Sequence, residues 1–338
     1  MLVIYYVGMD IHKKKIRYCV KTADGTIICE GWISTRKADL IKWAKSLPGP
    51  WIAGMESTLF TGFIYDTIAP FAEEVKVANP LMLKAISCSK KKSDKVDAKK
   101  IADMLRADLL PECYIAPKDY RDRRRILRYR NYLLRISTSL KNKTAGLLME
   151  CGAEYTKKKL HGKKYFKNLL GSLEEIPDSV KEMARYSHDA FTAFQDIQKK
   201  LLQEVTKDPL LKERVELLRT IPGIGQITAL TWALEIVDPH RFSSIRKAVS
   251  YAGLCSAHKE SAGKVKRGPI YKMRNKYLQW VLIEAAKIAP RYNIQLAEVH
   301  RKELARGNRN SATIAVARKM VAYLLSIDKS RQPFRYRC

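Results

Sequence analysis

The chain has 338 residues, 46% of them apolar and 29% charged, which is typical of a folded protein of two or three domains and excludes a disordered one. Its 64 Lys and Arg residues exceed its 34 Asp and Glu residues by 30, and such an excess predicts a polyanionic partner. No long apolar span or separate basic amphipathic helix stands out, so nucleic acid is favoured over a membrane. The seven cysteines form no Cys-x-x-Cys pair, which disfavours a zinc ribbon and suits reduced thiols in the cytoplasm.

The first part of the chain predicts an α/β layer fold. Strands are expected at residues 2–7, 15–21, 26–32, 51–55 and 74–78, and helices at about 35–47, about 60–70 and from residue 80. Asp24-Gly25 is a two-residue hairpin signal, and Thr35 is a candidate helix cap. The N-terminal apolar run leads directly into Gly8, which indicates a strand and not a signal peptide.

Two carboxylates follow predicted strands in similar contexts. Asp10 lies in Gly-Met-Asp-Ile-His-Lys after the first strand, and Glu56 lies in Gly-Met-Glu-Ser-Thr after the fourth. If these strands are neighbours, both carboxylates emerge at one edge of the sheet. A single acid at a strand end is more often a turn or cap residue than a metal ligand.

Two further carboxylates begin the next predicted helix. Asp94 and Asp97 lie three residues apart, hence on one helix face, and lysines including Lys91 and Lys92 surround them. Acids in a basic field suit a divalent metal held against a phosphate. The alternative is a solvated helix start, where the helix dipole favours Asp. All four acids together favour the metal site.

From about residue 117 the pattern becomes helical and basic. The seam of a coiled coil or helical hairpin is predicted at Ile126, Tyr129, Leu133, Ile136 and Leu140, and a second helix with Phe191, Phe194, Ile197, Leu201 and Val205 could pack back on it. The basic face, with Arg123, Arg124, Arg125 and Arg128, predicts contact with phosphates and not with bases, although a charge run is usually a solvated face.

A helix-turn-helix pattern follows around Ile-Pro-Gly-Ile-Gly. Gly223 and Gly225 permit close backbone approach, and the amides that begin the second helix could bind a phosphate. This stretch resembles the helix-hairpin-helix of DNA-binding proteins, and a plain tight turn is an equal alternative.

The last informative stretch contains Ser261, followed by Lys264, Lys266 and Arg267. A serine hydroxyl becomes a nucleophile when its proton is removed or its charge is stabilised, which nearby cations and a metal could do. Without further information, a loop serine is a turn residue. Helices are expected at residues 278–288, 291–304 and 311–326, and a loosely held basic tail at 328–338.

The contexts of the four acids resemble the Piv/MooV-type Asp-Glu-Asp-Asp (DEDD) transposases of insertion sequences. The catalytic domain of that family is similar to the Holliday-junction resolvase RuvC, within the ribonuclease-H fold. The resemblance covers about residues 1–115 and 215–325. It implies a RuvC-like α/β domain (1–115), a basic coiled-coil segment (116–214), a mostly α-helical transposase domain with a helix-hairpin-helix (215–327) and a tail (328–338).

The resemblance also implies a site and a mechanism. Asp10, Glu56, Asp94 and Asp97 would bind Mg²⁺, with Mn²⁺ as the alternative, and Ser261 would attack a DNA phosphate to give a 5′-phosphoserine link. The sequence departs from the family pattern with Ala262 for Gly, Ser256 for Pro, and Arg274 for the Gly before Asn275. Ser256 and Ser250 are the fallback nucleophiles. Nucleic-acid contacts are expected at Lys13, Lys91, Lys92, Arg123, Arg124, Arg125, Arg128, Gly223, Gly225, Lys264, Lys266, Arg267 and Lys276.

The partners implied are donor and target DNA and a structured guide ("bridge") RNA, in a prokaryotic, nucleoid-associated protein. Because the acids and the serine fall in different domains, a dimer or tetramer is expected. The alternatives are a RuvC-like junction nuclease in which Ser261 is structural, and a non-catalytic nucleic-acid-binding protein.

Overall fold

The computed structural model describes residues 3–86, 94–261, 264–271 and 273–336, with the backbone alone at 85–86, 258–261 and 264–267. The chain divides into two compact units, Met1–Lys118 and Asp119–Cys338. The first contains a five-stranded mixed sheet, and the second is mostly helical. The basic helical segment and the C-terminal segment therefore belong to one compact unit, and the fourfold division suggested by the sequence remains a proposal.

The sheet of the first unit has the order β3-β2-β1-β4-β5. Its strands are β1 (Tyr5–Ile11), β2 (Lys15–Lys21), β3 (Ile27–Ser34), β4 (Trp51–Glu56) and β5 (Glu74–Ala78). The first three strands are antiparallel, and β4 lies parallel to both β1 and β5. The first and fourth strands are neighbours, so the condition for Asp10 and Glu56 to emerge at one edge is met. The first strand lies further along the chain than predicted, so that Asp10 is part of it.

Helices cover both faces of this sheet. They are α1 (Lys37–Ser46), α2 (Thr61–Ile68), α3 (Pro80–Ile86) and α4 (Asp94–Arg106). Met9 and Met55 are fully buried in the core that includes residues of α1 and α2. Since side chains alternate along a strand, the even-numbered residues of β1 and β4 face the other way, where α4 packs.

Two glycines let α4 lie close to the sheet. Gly8 and Gly54 are opposite each other in the β1–β4 pair. A Cβ on Gly8 would lie 2.1 Å from the carbonyl oxygen of Ala98 and 2.4 Å from the backbone nitrogen of Ala102. Any side chain there would force the helix away from β1, because the clashing atoms belong to the helix backbone.

Two local predictions in this unit are wrong. Thr35 does not cap α1; its hydroxyl donates to the carbonyl of Lys13, and the N-cap residue Arg36 makes no side-chain cap bond. The Asp24-Gly25 turn is wider than a two-residue hairpin, because β2 ends at Lys21 and β3 begins at Ile27. Gly25 does take a positive φ of 95°, as expected for this position.

The second unit is built from helices and one hairpin. The helices are α5 (Lys118–Glu150), α6 (Lys163–Ser172), α7 (Asp178–Thr206), α8 (Pro209–Leu218), α9 (Gln226–Ile236), α10 (Ile245–Tyr251), α11 (Lys276–Ile288), α12 (Ile294–Arg306) and α13 (Arg309–Ser330). Strands β6 (Ser256–Ser261) and β7 (Lys264–Ile270) pair antiparallel between α10 and α11. Helix α9 is central, and its residues from Thr228 to Ile236 are all buried.

The helical hairpin of α5 and α7 forms with a different register from the predicted one. Of the predicted seam of α5, only Leu133 is buried, whereas Tyr129 is 54% exposed. The buried face includes polar residues, and the Gln198 amide of α7 donates to the Ser137 hydroxyl of α5 at 2.8 Å. An apolar periodicity search fails here because part of the contact is polar.

The described tail is anchored at Asp328 and at Phe334, whereas residues 331–333 and 335–336 are exposed. Asp328 is fully buried and accepts both guanidinium hydrogen bonds of Arg214, at 2.8 and 2.6 Å, and one from the Trp232 indole at 2.9 Å. Beyond the helix, the Phe334 amide donates to the Thr220 hydroxyl at 2.9 Å. The loosely held tail was expected from its basic composition, which does not reveal this buried ion pair.

The described cysteines Cys19, Cys29, Cys113, Cys151 and Cys255 are free thiols in this structure. None of the described helices combines the length and apolar character needed to cross a bilayer.

We predict that Gly8→Ala displaces α4 from β1 and lowers the free energy of unfolding by about 1–3 kcal/mol or more, as overpacking does. Chemical denaturation measures the loss, and hydrogen exchange should show faster exchange in α4. Gly146→Ala in α5 is the control, because an added Cβ there meets nothing within 4 Å and should cost no stability. Equal stability of Gly8→Ala and the native chain would contradict the close approach.

Candidate metal centre and serine hairpin

The ends of β1 and β4 bring two of the predicted acids to one edge of the sheet. Met9 pairs with Met55, so Asp10 and Glu56 each stand one residue beyond the same rung of the ladder. Asp10 and Glu56 follow Gly8 and Gly54, respectively, by two residues, so their side chains lie on the same face of the sheet as these glycines, which face α4. The expectation that they emerge at one edge is confirmed.

Helix α4 adds its N-terminus to this edge and forms a three-residue cluster with β1. The His12 Nε2 atom lies 3.2 Å from a carboxylate oxygen of Asp10 and 3.2 Å from one of Asp94. Among the described residues, the ligand atoms of these three side chains all lie within 4.8 Å of one another. Three donor atoms therefore converge on one point.

The charge state of Asp10 reflects its neighbours. Burial raises the pKa of this carboxyl group, and the negative charges of Asp94 and Asp97 raise it further, although His12 opposes them. Mutual repulsion of this kind is expected where carboxylates share a site without a cation between them. A cation bound among them would relieve it.

Two of the four predicted acids lie at the margin of the cluster. Asp97 is near enough to affect the pKa of Asp10, but neither Asp97 nor Glu56 is within the 4.8 Å group. His12, by contrast, is central and was not predicted as a site residue. Its position two residues after Asp10 was the available signal, because alternating strand residues share a face.

The side chains fit a divalent cation. His12 Nε2 is buried and has no partner with hydrogen-bond geometry, although two carboxylates are 3.2 Å away. Buried polar atoms are rarely left unsatisfied, so this atom calls for a ligand. Carboxylate oxygens suit Mg²⁺ and Mn²⁺, whereas an imidazole nitrogen suits transition metals better than Mg²⁺.

The lysines around this site do not all face solvent freely. The Nζ atoms of Lys95 and Lys99 lie 2.7 and 3.1 Å from Glu30 of β3, and Lys21 pairs with Asp103 at 2.6 Å. These pairs attach α4 to the sheet. Lys13 is exposed, while Lys91 and Lys92 lie outside the described residues.

Ser261 is the last residue of β6, and it pairs with Lys264 across the hairpin. The sequence predicted a turn here but not the strands on either side. The side chains of Ser261, Lys264, Lys266 and Arg267 are outside the described part of the chain, as is Ala262. Ser261 belongs to the second unit, whereas the four acids belong to the first.

The base of this hairpin is fixed by a buried network that we call the hairpin clamp: Arg128, Glu235, Tyr251 and Asn275. Glu235 is 2% exposed and receives two hydrogen bonds from the Arg128 guanidinium, at 2.8 and 2.7 Å. The Asn275 amide donates to the same carboxylate at 2.8 Å.

The clamp joins the two helices that flank the hairpin. The backbone nitrogen of Asn275 donates to the Tyr251 carbonyl, and the Asn275 side chain caps α11 by accepting from Tyr277 and Leu278. Nearby, Gln279 donates to the carbonyl of Gly253 at 2.6 Å. The chain therefore enters and leaves the hairpin at fixed points.

Arg274, which departs from the family pattern, is accommodated at this base. Gly253 has a φ of 71°, and a Cβ on it would lie 2.4 Å from the Cβ of Arg274. The absence of a side chain at Gly253 makes room for the larger residue.

Several predicted nucleic-acid contacts are engaged inside the protein. The Arg123 guanidinium contacts Asp208, Arg124 donates twice to the Leu234 carbonyl, and Arg128 belongs to the clamp. Arg125 has a 77% exposed side chain next to Asp122, and Lys276 is exposed. The contacts of Arg123, Arg124 and Arg128 give these residues structural roles.

The predicted helix-hairpin-helix turn connects α8 and α9. Gly223 has a φ of 93° and packs against Ala289, where a Cβ would meet the Ala289 Cβ at 2.7 Å. Gly225 is exposed and precedes α9 without a side-chain cap. The glycines permit helix packing, and phosphate binding by the following amides remains a prediction.

Comparisons with known proteins agree with this arrangement. A DEDD transposase family model matches residues 7–152, and a model described as "Transposase IS116/IS110/IS902 family" matches residues 215–301. Together they cover the candidate metal centre and the serine hairpin.

Named relatives give the same result. The chain is 24% identical over 324 residues to the transposase for insertion sequence element IS1328 of Yersinia enterocolitica, with 93% of each chain covered. It is 23% identical over 291 residues to a putative transposase of Sinorhizobium fredii, covering 83% of this chain and 70% of the relative. It is 31% identical over 135 residues to the pilin gene-inverting protein of Moraxella bovis, covering 39% of this chain and 42% of the relative. The chain belongs to the IS110 family of DEDD transposases.

Proposed function

We propose that this transposase is an RNA-guided DNA recombinase with a RuvC-like domain, a divalent metal bound by its acids, and Ser261 as nucleophile. The observation that carries the metal centre is the convergence of Asp10, His12 and Asp94 beside the end of β4. A mixed sheet with acids at the ends of two parallel strands, and a helix packed against them, supports the RuvC-like assignment.

The residues of the first unit would hold the metal and the scissile phosphate. Asp10 and Asp94 would supply oxygen ligands, and His12 would supply a nitrogen ligand. Asp97 and Glu56 would add negative charge that attracts the cation. A bound Mg²⁺ or Mn²⁺ would neutralise charge that develops on the phosphate. The carboxylates require a cation for this task, because alone they would repel DNA.

Ser261 would exchange one phosphodiester for another. Its oxygen bonds to phosphorus as its proton leaves, the bond from phosphorus to the 3′ oxygen breaks, and that oxygen takes a proton. The products are a 5′-phosphoserine ester and a free 3′-hydroxyl, so a later 3′-hydroxyl can rejoin the strand without ATP. The hairpin clamp supports this role because it fixes the base of the hairpin on which the serine is carried.

Because the acids and Ser261 belong to different units, we propose that they meet in a dimer or tetramer that combines metal centre and serine across subunits. Full activity of an isolated monomer would contradict this assembly.

We predict that the full chain binds Mn²⁺ more tightly than Mg²⁺ in titration calorimetry. Asp10→Asn should weaken the binding of both metals by at least about tenfold, and Asp97→Asn should also weaken their binding. His12→Gln should weaken Mn²⁺ more than Mg²⁺, because Mg²⁺ prefers oxygen ligands. Asp39→Asn, an exposed carboxylate of α1, is the control and should change neither.

The same titration should depend on pH in a defined direction. A raised pKa means that protons compete for Asp10 at a higher pH than for an ordinary aspartate, so affinity should fall as the pH is lowered through the raised value. Unchanged metal affinity in Asp10→Asn would contradict the metal centre, whereas unchanged affinity in His12→Gln would remove only the histidine.

We predict that DNA carrying the element ends becomes covalently attached to the native protein and stays attached after denaturation. Ser261→Ala should abolish the attached species, because no other group replaces the attacking oxygen. Ser256→Ala, at the fallback nucleophile that begins the same strand, should retain it, and loss of the attached species in Ser256→Ala but not in Ser261→Ala would assign the attack to Ser256.

The nuclease alternative gives a different result in this experiment. If water is the nucleophile, free cut ends should form with both the native protein and Ser261→Ala. That outcome would contradict the serine mechanism and leave the metal centre standing. Cleavage unaffected by Asp10→Ala would contradict both the recombinase and the nuclease, and would favour a non-catalytic nucleic-acid-binding protein.

We predict that a structured RNA copurifies with the protein and that part of its sequence pairs with donor and target DNA. The net charge of +30 favours a polyanionic partner, and RNA is a polyanion as much as DNA is. Sequencing the copurified nucleic acid is the measurement, and RNase treatment before the covalent assay should remove the product. Undiminished product after complete RNA removal would contradict RNA guidance.

A further inference from the structure

A cavity of about 520 Å³ lies between α6 and α7 in the second unit, away from the serine hairpin in sequence. Its lining comprises Lys163, Phe166, Lys167 and Leu170 of α6, and Arg185, His188, Asp189 and Thr192 of α7. We call it the α6–α7 cleft. Its volume is in the range of ligand-binding clefts, which is about 300–1,000 Å³.

The floor of the cleft is rigid and apolar. Phe166 and His188 are 5% and 6% exposed, and their rings stack with centroids 4.0 Å apart and planes within 5°. Leu170 is 6% exposed beside them. The floor therefore keeps its shape whether or not a ligand is bound.

The rim is cationic, and its cations have no partner among the described residues. Lys163, Lys167 and Arg185 are exposed, and none of them forms a hydrogen bond or ion pair with a described residue, whereas Lys181 of the same helix α7 approaches Asp178 at 3.7 Å. Asp189 offsets one of the three charges. The cleft retains a net positive charge, so its ligand is an anion.

A buried polar atom at the floor also calls for a ligand. His188 Nε2 is buried and has no hydrogen-bond partner among the described residues. Leaving a buried polar atom unpaired costs about 1–3 kcal/mol, so such atoms usually mark a bound water or ligand. His188 lines the cleft, and the three unpaired cations lie at the rim of the same cleft.

We propose that the α6–α7 cleft binds the phosphodiester backbone of a nucleic acid, with Lys163, Lys167 and Arg185 neutralising its phosphates. Nucleic acid is favoured over an acidic peptide because the chain belongs to a transposase family and carries a net charge of +30. This places phosphate contact at the tip of the helical hairpin, and not at the three arginines of α5 whose guanidinium groups are engaged internally.

The inference rests on nucleic-acid binding by the transposase and is independent of the Ser261 mechanism. The test compares two triple variants of the full chain that remove equal charge. The cleft variant is Lys163→Gln, Lys167→Gln and Arg185→Gln. The control variant is Lys199→Gln, Lys200→Gln and Lys212→Gln, three exposed lysines of α7 and α8 outside the cleft. Both should keep the native melting temperature.

Binding to a labelled DNA duplex and to a labelled RNA of equal length is measured by anisotropy at several salt concentrations. For the ligand that occupies the cleft, the cleft variant should reduce the slope of log K against log salt by about 2–3 units, since each neutralised phosphate contributes about 0.7–0.9. The control variant should change it little. A reduced salt slope of the cleft variant with DNA alone, with RNA alone or with both identifies which nucleic acid supplies the phosphates.

Equal slopes in the cleft and control variants would overturn the proposal while leaving nucleic-acid binding by the transposase intact. Direct contact at the floor is tested separately with ¹⁵N-labelled histidine. The chain has six histidines, and His188→Gln identifies the resonance. The His188 nitrogen signals should shift when the ligand binds to the native chain and stay unshifted in the cleft variant. No shift in the native chain would contradict a ligand above His188.

Discussion

The candidate metal centre depends on the close approach of α4 to the sheet at Gly8 and Gly54. Each of these glycines stands two residues before an acid, and each intervening methionine is fully buried on the opposite face. In Gly-Met-Asp and Gly-Met-Glu, the glycine therefore leaves space for α4 and the methionine fills the core on the opposite face of the sheet. The acid that follows lies at the edge of the sheet. Asp94 joins Asp10 and His12 because α4 begins at this edge of the sheet.

The second unit positions its serine hairpin by a different kind of interaction. There the base of the serine hairpin is held by hydrogen bonds to the buried carboxylate of Glu235, including two from the partly exposed guanidinium of Arg128. Glu235 is buried, and its carboxylate receives hydrogen bonds from both Arg128 and Asn275. Buried pairs add little net stability compared with apolar residues, but removing one partner leaves an uncompensated charge. Such a network specifies one geometry for the base of the hairpin, which is what a positioned nucleophile requires.

The sequence predicted the parts of the fold that follow from local periodicity. Strand β2 begins and ends where predicted, and Glu56 and Asp94 stand at element boundaries, at the end of β4 and the start of α4. The register of α5 was wrong because its buried face includes Asn131, Ser137 and Thr144, which an apolar pattern ignores. The clamp was missed for a related reason: the role of each of its residues depends on residues that are distant in sequence, and no local pattern contains them.

The distribution of charge explains why composition alone located the nucleic-acid contacts poorly. Arg124, Arg128 and Arg214 bind acceptors within the second unit, and Lys21, Lys95 and Lys99 attach α4 within the first. A run of basic residues therefore predicts a polyanionic partner for the chain but not which residues contact it. The cations that remain available are those without an acceptor, and at the α6–α7 cleft three of them surround an apolar floor. Unpaired charge beside a preformed cavity is a more selective criterion for a phosphate site than the density of lysine and arginine along the sequence.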